Sequence, residues 1–237
     1  MLFHFRKYYG INTSENFAVK LSNFIKVNLV DQLNKTNTLA KKSTTNTSFF
    51  STDASFDALY PEAISLLAHR HWTPLLVAKK AAAYLAADKG AKILDIGSGV
   101  GKFCLAAAFY QPAAQYFGIE QRENLVSYAK GAQQKLQIDN VTFTAGNFTE
   151  LKFSTYDHFY FYNSFYENLV GTQRIDDDIA YSRELYDLYR FTLYRQLEKM
   201  PFGTKLVTFQ VLGDDWPEGY HVVNSDMDNL LNFLVKI

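Results

Sequence analysis

Residues Ile93–Phe103, read in order Ile-Leu-Asp-Ile-Gly-Ser-Gly-Val-Gly-Lys-Phe, hold the densest chemistry in the chain. An apolar run meets a carboxylate at Asp95. A turn follows, with Gly97, Gly99 and Gly101 at alternate positions and Ser98 between the first two. An amphipathic stretch from Phe103 to Tyr110 comes next. A strand, a tight turn and a helix in that order form the entry to a nucleotide-binding α/β sheet. A turn this sharp, pressed against a ligand, needs residues without Cβ. The acid at the strand end selects among ligands: it repels a pyrophosphate and suits a group bearing an ammonium.

Later strand ends carry further polar groups. The run Tyr116–Ile119 ends at Glu120, followed by Gln121, and an acid roughly 20 residues past a glycine turn is placed to accept both ribose hydroxyls. The run Val141–Ala145 leads into Gly146, Asn147 and Phe148. A dinucleotide fingerprint would place its third glycine where Lys102 stands.

The pattern Asp95-x-Gly97-x-Gly99-x-Gly101 resembles motif I of the class I S-adenosylmethionine-dependent methyltransferases. That resemblance implies a Rossmann-like sheet, mostly parallel with an antiparallel C-terminal strand, and S-adenosylmethionine as cofactor. It implies cofactor contacts at Asp95, Gly97, Ser98, Gly99, Gly101, Glu120 and Gln121. Asn147 stands where the family carries an acid that accepts from the adenine amino group, and Phe148 stands where the next residue packs on the ring. In Trp72-Thr73-Pro74 the chain is similar to the aromatic-Thr-Pro segment that amino-methyltransferases set against the methionine end of the cofactor, which implies Trp72 and Thr73.

The acceptor side falls on Phe159–Glu167, because ligands of an open α/β sheet lie outside the carboxyl ends of its strands. Asn163 and Tyr166 match the Asn-Pro-Pro-Tyr/Phe pattern of amino-methyltransferases, with Ser164 and Phe165 replacing both prolines. The glycine turn and Gly118-Ile119-Glu120 also resemble the disruptor-of-telomeric-silencing type lysine methyltransferases, of whose Asn-Asn-Phe-Ala-Phe motif Asn163 and Phe165 keep part. Asn163 and Tyr166 are the candidate catalytic residues, and Phe165 with Asn163 the candidate substrate contacts. Aromatic faces suit a methylated cation. The expected reaction is in-line methyl transfer to an amine nitrogen of a protein lysine or small molecule. A nucleic-acid base is the alternative acceptor. A nicotinamide oxidoreductase and a non-catalytic cofactor-binding module are rivals of another class.

The elements that must position these residues can be sketched. At 237 residues with 48% hydrophobic content, the chain holds one α/β domain plus an appendage. We place a helical and flexible extension over 1–50 and the methyltransferase-like domain over 51–237. Helical spacing runs from Phe17 to Leu33, and polar residues 34–48 read as a linker. Pro61 opens a helix to about His69, and Pro74 opens another to about Ala87, capped by Thr73. Strands are expected near 92–96, 115–120, 141–145, 157–163 and 204–212, and helices over 102–110, 122–136 and 177–199. Asp176–Asp178 then sit at a helix start, as the dipole favours. The tail from Gly219 reads as an antiparallel pair turning around Asn224-Ser225-Asp226.

Lysine and arginine, 24, balance 24 acids, so no overall field steers the molecule to nucleic acid or anionic membrane; a nucleic-acid partner is not excluded. The single cysteine, Cys104, precludes an intrachain disulfide and reads as a small buried apolar group. No apolar run is long enough to span a bilayer, and Met1–Lys7 lacks a signal core, which points to a cytoplasmic protein without membrane partners. His69 and His71 have no second ligand pair, so no metal is expected. Asp214 and Asp215 border the substrate or form a surface loop.

Overall fold

The computed structural model describes residues 47–169, 171, 172, 174–211 and 216–237. The chain divides into two compact units, Met1–Phe49 and Phe50–Ile237, and the second holds every strand described. The expected helix over Phe17–Leu33, the linker up to residue 46, and Asp214 and Asp215 lie outside the described residues.

Seven strands form one sheet: β1 Lys92–Ile96, β2 Gln115–Glu120, β3 Val141–Ala145, β4 His158–Phe161, β5 Lys205–Phe209, β6 Tyr220–Asp226 and β7 Leu231–Lys236. Their order is β3-β2-β1-β4-β5-β7-β6. The first five run parallel, and β7 lies antiparallel to both β5 and β6. The chain works outward from β1 through β2 to β3, then returns to place β4 on the other side of β1. Strand order therefore reverses at β1 and β4, and the crevice beyond their carboxyl ends is the natural ligand seat of such a sheet.

Four longer helices accompany the strands: α1 Leu75–Leu85, α2 Lys102–Tyr110, α3 Glu123–Leu136 and α4 Arg183–Leu197. Strand alternation divides the work between the two faces. On β1, Leu94 and Ile96 join a cluster with Phe159, Phe161 and Leu206, which packs on Tyr189, Leu193 and Leu197 of α4. Asp95 and Tyr160 face the other way: Cys104 of α2 lies 3.6 Å from Asp95, and Phe103 stacks on Tyr160 with ring centroids 3.7 Å apart. Nearly every residue of α2 is buried, which fits a stretch rich in alanine between the sheet and α1.

Several expectations shift. The helix expected from Pro61 is two short turns, Glu62–Ser65 and Ala68–His71. Thr73 does not cap α1. Its hydroxyl bonds the Tyr160 hydroxyl at 3.0 Å, and Asp53 Oδ1 accepts from the Leu75 N–H at 2.9 Å instead. The last long helix begins at Arg183, not 177, because Ser182 caps it by accepting from the Leu185 N–H. Asp176 is drawn away to a buried arginine. The C-terminal turn falls at 227–230 rather than 224–226. Met227, Asp228 and Asn229 all take positive φ there, and Asp226 Oδ1 accepts from the Met227 N–H at 2.7 Å.

Candidate active site

The glycine turn lies where strand order reverses. The Gly97 and Ser98 N–H groups both donate to the Ile119 carbonyl at 2.9 Å, which ties the turn to the end of β2. A Cβ on Gly97 would sit 2.3 Å from Ser164 Oγ. Ser164 approaches this closely because its hydroxyl donates to the Ile96 carbonyl at 2.7 Å. Where the amino-methyltransferase pattern has a proline, the serine thus fastens the end of β4 to the glycine turn.

Around this junction opens a cavity of about 690 Å³. Asp95, Gly97, Ser98, Gly99, Glu120, Gln121 and Phe148 line one part of it. Trp72 and Thr73 line it from the segment before β1, and Asn163, Phe165 and Tyr166 from the end of β4. Gly101 and Asn147 are not on its wall. Gly101 takes φ 82° ahead of α2, beneath Phe143. Asn147 caps a following turn: its Oδ1 accepts from the Thr149 N–H at 3.1 Å and the Thr149 hydroxyl at 3.0 Å. That oxygen is committed to the backbone, so an adenine amino group would have to displace a cap to reach it.

Asp95 is 3% exposed, and burial pushes its carboxyl up to about 8, with Glu120 adding to the rise and the Cys104 thiol opposing it. Without a cation beside it, the group holds a proton at pH 7. Glu120 is also raised by burial, but donors counter the effect. Its Oε2 accepts from the Gly99 N–H at 3.0 Å and its Oε1 from the Arg122 N–H at 3.1 Å. Glu120 is therefore aimed across the glycine turn.

Phe148 stacks on Phe165 with centroids 5.1 Å apart, and both meet Tyr189. Phe165 is 5% exposed, so it is a member of the aromatic core as well as cavity wall. Asn163 adopts φ 33°, a left-handed conformation that asparagine takes more readily than most residues. Among the described residues its side-chain amide takes no hydrogen bond. Tyr166 is 42% exposed at the cavity edge. Asn168 donates from Nδ2 to the Phe165 carbonyl at 3.1 Å, and its Oδ1 is buried with no partner.

Sequence reasoning missed three groups. Lys102 is 4% exposed, and its ammonium lies 2.7 Å from both Asp53 and Asp57, under Phe56 and Trp72. It clamps the segment bearing Trp72 and Thr73 to the start of α2. Lys102→Met should cost about 2–4 kcal/mol, because a broken buried pair leaves the partner charge unmatched while Asp53 keeps its water. Chemical denaturation would measure it, and a loss under ~0.5 kcal/mol would show that the clamp does not hold the segment. His71 lines the cavity, and burial lowers its pKa below the usual value despite the opposing pull of Glu167. An imidazole so placed is neutral at pH 7 and able to take a proton. The third group centres on Arg122, which bonds Asp176 and Glu167. No local spacing announces it, since its partners are 54 and 45 residues away.

Among the described residues no helix is long and apolar enough to cross a membrane. Residues 87–169 match the family model described as a methyltransferase domain. Two curated relatives, the tRNA (guanine-N(7)-)-methyltransferases of Synechococcus sp. strains JA-3-3Ab and JA-2-3B'a(2-13), are 44% and 43% identical over 54 residues. Each match spans 23% of this chain and 23% of the relative. The solved structure of TrmN from Thermus thermophilus superposes with a TM-score of 0.51 at 15% identity, over 73% of this chain and 52% of that one, a likeness of fold. The family match covers the glycine turn, Glu120 and the end of β4, so residues 87–169 are a methyltransferase domain set in a sheet of this order.

Proposed function

We propose that the protein moves the methyl group of S-adenosylmethionine to an amine nitrogen of a small molecule or a lysine side chain. The observation that carries this reading is convergence: Asp95, Glu120 and the glycine turn share one cavity with Asn163 and Tyr166. The donor set fits the cofactor. Asp95 suits the ammonium of its methionine end, Glu120 its ribose hydroxyls, and Phe148 one face of its adenine. Trp72 and Thr73 close the methionine side. The cofactor supplies an electrophilic methyl, so the protein's task is to dock, align and exclude water. Holding reactants in line contributes roughly 7–11 kcal/mol.

The acceptor wall suits a nitrogen that carries hydrogens. Asn163 offers an amide oxygen to an N–H donor. A cationic amine must shed a proton before attack, and neutral His71 is at hand to receive it. Tyr166 and Phe165 wall the methylated product. We assign this work to residues 51–237 and treat 1–50 as an appendage. A second reading, methylation of a nucleic-acid base, draws on the names of the two curated relatives.

The test is transfer of labelled methyl from S-adenosylmethionine by the full chain into separated fractions of a cell extract. Label in small amines or protein is the expected result. Label confined to nucleic acid would replace this reading by the second. Cofactor binding with no transfer to any fraction would leave a binding module, and binding of NAD instead would point to an oxidoreductase.

A further inference from the structure

Arg122 is 6% exposed and is surrounded by three carboxylates. Its Nε donates to both Asp176 oxygens at 3.0 Å, its Nη2 to Glu167 Oε2 at 2.8 Å, and its Nη1 lies 3.7 Å from Glu120 Oε1. Nη2 also bonds the Tyr181 hydroxyl at 2.5 Å, and that hydroxyl donates to the Asp176 carbonyl at 2.8 Å. Glu167 Oε2 in turn accepts from the Ile175 N–H at 2.9 Å. One guanidinium thus joins the end of β2 to two stations on the chain between β4 and α4. A planar fork with five donors can serve several carboxylates at once, and an ammonium cannot.

The arrangement is more than a structural ion pair because of where its ends lie. At one end is Glu120, whose other oxygen orders the glycine turn through Gly99. At the other are Glu167 and Tyr181, which line the same cavity as Asn163. We propose that Arg122 is a positioning residue that holds Glu120 toward the cofactor's ribose and, through Glu167, Asp176 and Tyr181, links cofactor occupancy to the order of the acceptor wall. The inference rests on the reading that Glu120 takes the ribose. A ligand that engages Glu120 fixes one end of the clasp, and linkage requires that a fixed clasp favour the ligand in return.

The charged groups near Glu120 are Arg122, Glu167 and, on the neighbouring strand, Asp95; beyond Arg122 stand Asp176, Tyr181 and His71. Arg122 opposes the burial that raises Glu120, so its loss lets the Glu120 carboxyl rise further. Ribose hydroxyls donate to the ionised form, so affinity falls as pH drops through that pKa, by up to about tenfold per unit. Asp95 contributes alike to both proteins and cancels in their ratio.

The experiment titrates S-adenosylhomocysteine into the full chain and its variants between pH 6 and 8.5, with amide exchange read over residues 174–182. Arg122→Met is expected to bind roughly tenfold more weakly than wild type at pH 7, with the gap widening at pH 6 and narrowing at pH 8.5. A merely structural defect would not be relieved by alkali. Arg122→Lys should recover part of the affinity. In wild type the ligand should slow exchange at Ile175, and in Arg122→Met it should not. Asp176→Asn guards against a variant that fails to fold: it should keep affinity within about threefold yet lose the ligand-dependent protection. Failure of wild type to bind overturns the cofactor reading and this inference together. Wild-type binding that Arg122→Met leaves unchanged, or protection that persists in both variants, overturns the clasp alone.

Discussion

Asp95→Asn should weaken S-adenosylhomocysteine binding by roughly 100-fold, within the 2–5 kcal/mol expected when one partner of a buried charge pair is removed, while the ligand-free fold stays at least as stable at neutral pH. The two halves of this expectation have one cause. Asp95 is 3% exposed, and burial raises its carboxyl to about 8. Free of ligand at pH 7, the group is mostly protonated and resembles an amide in charge, so the substitution removes little from the empty protein. A ligand ammonium changes that balance: it favours the ionised form and expels the proton. Calorimetry at pH 7 in two buffers of different ionisation enthalpy should therefore show proton release by wild type and none from this position in the variant. The stability sign follows from the same shift. Between the ordinary carboxylate value of 3.8 and about 8, the folded chain keeps a proton that the unfolded chain has lost. Its contribution is therefore greatest in acid and is lost as pH rises through that window, with a slope approaching ~1.4 kcal/mol per unit. Asp95→Asn should flatten that slope between pH 6 and 8 in urea denaturation. Unchanged affinity would remove Asp95 from the ligand's amino-acid end.

The parts of the fold that sequence made legible are those fixed by neighbours along the chain. β1, β2 and β3 occupy 92–96, 115–120 and 141–145, where apolar runs stop at Asp95-Ile96, Glu120 and Ala145 before glycine or polar residues. A buried parallel strand is a short apolar run with turn residues at its end, so local pattern suffices. What stayed hidden depends on partners distant in sequence. Thr73 is in cap position by every local rule, yet Tyr160, 87 residues on, takes its hydroxyl. Asp176–Asp178 look like an acidic helix start, yet Arg122 takes Asp176 and Ser182 starts the helix. In sequence, Lys102 only marks where a dinucleotide fingerprint would place its third glycine. Its work is to hold Asp53 and Asp57, which no spacing near the turn foretells. For the site the same division holds. The turn and the acids at strand ends are local, whereas Ser164 on Ile96 and the Arg122 clasp exist only once the sheet is assembled.

Gly101→Ala should destabilise the fold, and Gly99→Ala should spare it and block the ligand. Both glycines sit in the left-handed region, Gly101 at φ 82° and Gly99 at φ 53°, so an alanine at either costs about 1–2 kcal/mol of backbone strain. Their surroundings separate them. A Cβ on Gly101 would lie 2.4 Å from Phe143 Cζ and 3.0 Å from the Ala129 methyl, inside the contact of α3 with β3. Phe143 is 4% exposed, so its ring has no free volume into which to retreat. Overpacking of this kind adds about 1–3 kcal/mol, and the sum of roughly 2–5 kcal/mol corresponds to a melting point about 10 °C lower, at the middle of that range, for a domain of this size. A Cβ on Gly99 meets no atom within 4 Å, because it projects into open space where Gly99 lines the cavity. Strain alone should lower melting by only a few degrees. If the cofactor passes over Gly99, as the Glu120 bond to its N–H implies, the added methyl occupies ligand space and affinity should fall at least ~100-fold. Melting curves with and without S-adenosylhomocysteine read both effects at once. Gly99→Ala should melt near wild type but gain nothing from ligand, and Gly101→Ala should melt early and still be raised by it. A Gly99→Ala protein that ligand stabilises as fully as wild type would place the cofactor elsewhere in the cavity.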